Sequence, residues 1–131
     1  MIDIEADVFD RVYESVAPIV PDGCFKSVFV PDPSRFPFAT LMEIDNLTDR
    51  TNRSSSLTED YAIVTYEANV YDTTKHGCRT VMSALDDAMV QLGFMRLSAV
   101  FVPNLVDPNL FRYTARYQAV ADQNKVVYRK A

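Results

Sequence analysis

The chain has 131 residues, 48% hydrophobic and 11% aromatic, enough apolar side chain for one core and too much for a disordered protein. No apolar run approaches the ~20 residues of a membrane span, and a net charge of −5 excludes the broad positive field behind nonspecific nucleic-acid binding. The charge is uneven: residues 1–60 hold 12 acidic and 5 basic side chains (−7), and residues 61–131 hold 6 and 8 (+2).

A bipolar chain of this kind can associate with copies of itself, acidic surface to basic surface, although two unrelated solvated faces account for the pattern equally well. The opening MIDIEADVFD is acidic where a secretory signal is positive and then apolar, so export by that route is not expected. The sequons at Asn46 and Asn52 are accordingly expected to carry no sugar. Cys24 and Cys78 are too few for a disulfide framework, and two free thiols are expected.

In chain order, Ile4, Val8, Phe9, Val12, Tyr13 and Val16 form one stripe of an amphipathic helix, ended by Pro18 and Pro21. Asp3, Glu5, Asp7 and Asp10 crowd its first turns, where the helix dipole favours negative charge. Cys24–Val30 predicts a short strand ended by Pro31-Asp32-Pro33, and Phe36–Ile44 a second one. The linker between them precludes a tight hairpin. Asp45 to Thr58, DNLTDRTNRSSSLT, reads as a polar loop, longer than a turn requires and therefore either mobile or functional.

Tyr61–Asp72 alternates, with Ala62, Val64, Tyr66, Ala68 and Val70 on one face, and predicts a long half-buried strand. The period then becomes helical: Cys78, Val81, Leu85, Ala88, Met89 and Leu92 share a face. Thr73 or Thr74 caps the start, Gly93 ends the helix and Phe94 closes that end. Asp86 and Asp87 read as its solvated side. Met95–Val102 predicts a strand pairing antiparallel with a second one, in which Phe111, Tyr113, Ala115, Tyr117 and Ala119 alternate with Arg112, Thr114, Arg116 and Gln118. Lys125–Tyr128 adds a last short strand. The order α-β-β-β-α-β-β predicts a single α+β domain over residues 1–131. Its mostly antiparallel sheet of five to six strands carries two helices on one face.

No catalytic signature is present. His76 is the only histidine, so a nucleophilic arrangement would have to combine it with Cys78, which also belongs to the apolar stripe and reads as a core thiol. No ligand pair has zinc-like spacing, and three glycines allow no phosphate-binding fingerprint. Arg50 and Arg53 lie among hydroxyl residues without the Gly-rich cradle of a phosphate site; that stretch reads as a loop that orders on a partner, or a solvated one. No enzyme activity, cofactor or metal is expected. Arg112 and Arg116, with Arg96 beside them, form a basic face whose aromatic neighbours point the other way. This favours a surface accepting carboxylates over a base-stacking platform.

The succession from Tyr66 to Asp122, within a match over roughly residues 58–128, resembles the tail-terminator and tail-completion proteins of long-tailed bacteriophages, which share a fold with lambda's terminator. The likeness is carried by Val70-Tyr71 ending a long strand, His76-Gly77 at a helix start, and Leu92-Gly93-Phe94 followed by Arg96. Asn104, Asp107, Arg112-Tyr113 and Arg116-Tyr117 complete it. Relatives commonly carry Gly-Lys where this chain has His76-Gly77. The resemblance implies a virion protein made in the bacterial cytoplasm and built into the head–tail neck. There it forms a ring, a homohexamer, on the tail tube protein and meets the head connector, with DNA passing through unbound. A head-completion adaptor, or a small ligand-binding or thiol-dependent module using His76 and Cys78, are the alternatives. In the ring, Asp7, Asp10 and Glu14 of the first helix are expected to meet Arg112 and Arg116 of a neighbour.

Overall fold

The computed structural model describes residues 1–30, 32–48, 61–104 and 107–128. Helix α1 (Glu5–Val16) runs into a 3-10 turn (Ala17–Ile19) carrying Pro18, and strands β1 (Phe25–Lys26) and β2 (Phe38–Thr48) follow. Strand β3 (Tyr61–Asp72), helix α2 (Lys75–Gln91), and strands β4 (Met95–Val102), β5 (Phe111–Asp122) and β6 (Val127–Tyr128) complete the α+β fold. The sheet runs β1-β2-β3-β5-β4, with β6 also on β5. Among the described residues only β1 pairs in parallel, against β2.

The alternation in β3 and β5 does what its period requires. Ala62, Val64, Tyr66, Ala68 and Val70 meet Ala115, Tyr117, Ala119 and Ala121 on one buried face, where Tyr66 lies directly opposite Tyr117. Against it pack Val8, Val12 and Val16 of α1 and Cys78, Val81, Leu85 and Met89 of α2, in one continuous core. Thr74 caps α2 by accepting from the Gly77 amide (3.0 Å). At the other end Gly93, at φ +104°, lets Phe94 donate back to the Met89 carbonyl (3.0 Å). Phe94 is fully buried, edge-on to Tyr66 at 5.2 Å between ring centres.

Three predicted elements differ in extent; the last strand, expected over Lys125–Tyr128, covers Val127–Tyr128. The strand expected over Cys24–Val30 shrinks to two residues, because the chain leaves β2 after Lys26 and turns Val28 and Phe29 outward. The strand expected to stop at Ile44 continues to Thr48. A register shift between Glu43 and Asp45 absorbs one residue, and Asn46, Leu47 and Thr48 then pair with Val64, Ile63 and Ala62. Asp45–Thr48, expected in the polar loop, is therefore strand; the remainder of that loop lies outside the described residues.

Phe94 joins the end of α2 to the sheet core, so Phe94→Ala should lower unfolding stability by about 3 to 5 kcal/mol. Denaturant unfolding followed by circular dichroism checks this.

Candidate assembly surface

The face of the sheet away from the helices carries the expected arginines, and the order of strands determines what they meet. β5 lies beside β3, with Arg116 opposite Glu67 and Thr114 opposite Asn69. Glu67 accepts from Arg116 Nε at 3.2 Å and forms ion pairs with Arg116 Nη2 at 3.1 Å and, more loosely, with Arg112 Nη2 at 3.8 Å. Asn69 accepts from Arg112 Nε (2.9 Å) and Thr114 Oγ1 (2.7 Å), and its own amide donates to Glu67 (3.1 Å). Gln118 continues the row by donating to Thr65 (3.2 Å). The face is thus a closed polar network, with Asn69 only 2% exposed. Arg112 and Arg116 share one carboxylate within their own chain, which leaves the pair with a net positive charge.

Arg96 behaves similarly. It pairs with Asp86 Oδ1 at 3.2 Å, and the same oxygen accepts from the hydroxyl of the buried Tyr117 at 2.8 Å. Asp86, expected on the solvated side of α2, instead leans over the sheet edge, because a buried phenol requires an acceptor. Burial first, then that carboxylate, pushes the Tyr117 hydroxyl far above its ordinary pKa.

The acids of α1 divide. Asp7 reaches Lys125 (3.7 Å) across open solvent, an exposed pair of little stabilising weight. Asp10 and Glu14 are exposed. At the start of α1, Glu5 accepts from the Glu43 backbone amide (2.7 Å), and Glu43 accepts from the Tyr66 hydroxyl (3.2 Å). Burial raises the Glu43 pKa, with the charges of Glu5 and Asp3 acting in the same direction against the hydrogen bonds from Tyr66 and Asn46. Arg50 and Arg53 lie outside the described residues.

His76 is exposed, whereas Cys78 is fully buried one turn into α2. The Cys78 thiol lies 3.6 Å from the carbonyls of Val70 and Phe111, and burial pushes its pKa up to about 11. This is the environment of an inert core thiol. No three His, Cys, Asp or Glu come together to hold a metal among the described residues.

The feature that periodicity missed lies at the other end of the sheet. Phe101 stacks on Tyr113 at 4.4 Å between ring centres and meets Phe111 edge-on at 6.5 Å. Lys75 and Arg79, from the first turns of α2, stand over these rings: Lys75 Nζ is 5.5 Å and Arg79 Cζ 5.1 Å from the Phe101 centre. In sequence the signal was present as Lys75 and Arg79 four apart at a helix start, where positive charge opposes the dipole.

No family model matches the chain, and no curated protein does. Among solved structures, a chain from the virion of a native gene transfer agent (GTA) particle is similar. It has 14% sequence identity and a TM-score of 0.59, over 84% of this chain and 90% of that one. That likeness establishes a shared fold.

Three measurements check these assignments. Glu67→Ala leaves Arg116 and the Asn69 amide without their acceptor and removes the carboxylate paired with Arg112, and should cost about 1 to 2 kcal/mol; unchanged unfolding would reject the network. Since the Glu43 carboxyl is raised in the fold, the folded chain holds its proton more tightly than the unfolded one. Its contribution is therefore full below the unfolded pKa near 4.5 and falls as pH rises through the folded value. Glu43→Gln should remove that slope, read from thermal unfolding between pH 4 and 7. Cys78 should resist alkylation in the native protein at pH 8, where about one thiol in a thousand is ionised, and react on unfolding.

Proposed function

We propose that the chain is a structural virion assembly protein, a tail terminator that forms a ring on the end of the tail tube, stops its growth and offers a surface for head joining. The observation that carries this reading is the fold similarity to a chain of a gene transfer agent virion, spanning nearly the whole of both chains. The resemblance of roughly residues 58–128 to phage terminators supports it. So does the use of the polar groups: Glu67, Asp86 and Cys78 all serve the frame.

In this reading the neighbouring copies, the tail tube protein and the head connector are the partners, and DNA passes through the ring unbound. Asp10 and Glu14 face a neighbouring subunit. The polar stretch with Arg50 and Arg53 is offered to a neck partner, a role argued from its composition. Arg112 and Arg116 hold the sheet together through Glu67.

Deleting the gene should leave filled heads beside tails of uncontrolled length in electron micrographs. Normal joined virions would contradict the reading, and normal-length tails beside leaking heads would move it to a head-completion adaptor.

A further inference from the structure

The two outer edges of the sheet are unlike and complementary. At the β1 edge, Phe25 is buried and stacked on Phe9 (4.7 Å between ring centres), and the chain then departs from the sheet. Val28 and Phe29, two and three residues beyond β1, are 59% and 61% exposed. An isolated exposed apolar residue is ordinary; an adjacent pair on a short anchored segment is a projecting apolar knob. Beside it, Phe9 and Tyr13 of α1 lie against Phe25, and the exposed Asp10 and Glu14 follow them around the helix. Asp32 is exposed just past the knob; Lys26 and Arg35 are the cations of the same segment.

At the β4 edge the end of the strand opens into a cavity of about 280 Å³ lined by Phe101, Val102, Pro103, Pro108, Phe111 and Lys75. Its rings are half-buried, and Lys75 and Arg79 stand over them. Neither cation has a carboxylate within ion-pair distance among the described residues. Positive charge at a helix start opposes the dipole, and the ring faces offset only part of that cost. A carboxylate supplied from outside would complete the arrangement.

Knob and cavity also share a level in the sheet. Phe25 pairs with Ala39, Ala39 with Val70, Val70 with Tyr113, and Tyr113 with Phe101. The segment bearing the knob thus begins on the rung that ends in the cavity wall, across four strand spacings or roughly 19 Å.

We propose that Val28 and Phe29 of one copy seat in the cavity formed by Phe101, Phe111 and Lys75 of the next, with the acidic Asp10–Glu14 side facing Lys75 and Arg79. Two different surfaces meet, so the contact is head-to-tail and repeats from copy to copy, closing into a ring when the rotation allows. The seam rests on the ring-forming reading and supplies its residues. It uses the cations beside the cavity in place of Arg112 and Arg116, which share the Glu67 carboxylate within their own chain.

Cysteine cross-linking tests it, since both native cysteines are buried. The full chain carrying Phe29→Cys and Pro103→Cys together should give, under mild oxidation, a ladder of covalent oligomers ending in one limiting species. Either variant alone should remain monomeric on denaturing gels, and the two mixed should stop at a covalent dimer. Dimers from Phe29→Cys alone would mean a twofold contact and overturn the seam, as would no ladder from the double variant. Rings seen by negative stain without a ladder would remove the seam and leave the terminator reading standing; tails of normal length in the gene deletion, beside an intact ladder, would do the reverse. Should the double cysteine variant fail to fold, charge reversal decides. Lys75→Glu with Arg79→Glu should raise the concentration needed for half-assembly about tenfold or more, and Asp10→Lys with Glu14→Lys should restore it in the paired mutant. Unchanged assembly in the first variant would overturn the seam.

Discussion

Strand β3 is paired on both edges, with β5 along its whole length and with β2 from Ala62 to Tyr71, and the rest of the structure follows from what its two faces require. On the helix face, small and large side chains alternate across the pair: Ala62 opposite Ala121, Val64 opposite Ala119, Tyr66 opposite Tyr117, Ala68 opposite Ala115. The alanines let α2 come close, and the two tyrosines fill the middle. Each tyrosine brings a hydroxyl into the core that needs an acceptor. Glu43 and Asp86 provide them, drawing a carboxylate from β2 and from α2 into positions that hydropathy alone would leave in solvent. On the far face Glu67 and Asn69 close a network with two arginines. Both faces of β3 are therefore spent on cohesion.

This explains which parts were legible in sequence. Elements set by a local period were read closely: β3 falls on the predicted residues, and α2 has Thr74 and Gly93 at its ends as their chemistry required. The α+β class and the antiparallel pairing of β4 with β5 followed from order and connection length. What depended on neighbours was not visible. The basic face of β5 was plain, but its meaning rested on β3 lying alongside, and only that adjacency sets Glu67 between the arginines. Likewise Asp86 looked like a surface residue until Tyr117 came under it. The register shift near Ile44 and the early end of β1 are tertiary events with no period to announce them.

The functional account rests on the same division. With the carboxylates of the sheet engaged and Cys78 held as a buried thiol, the groups left for other molecules lie at the margins. They include the acidic outer side of α1, the apolar pair after β1, and the cation-topped rings at the end of β4. These margins belong to opposite edges of one sheet, an arrangement that suits a repeating assembly. The most direct test of the central claim is gold labelling of purified tails with an antibody against the full chain, viewed by electron microscopy. A terminator ring predicts label at a single end of each tail, the end that joins the head. Label distributed along the tube, or confined to heads, would contradict it.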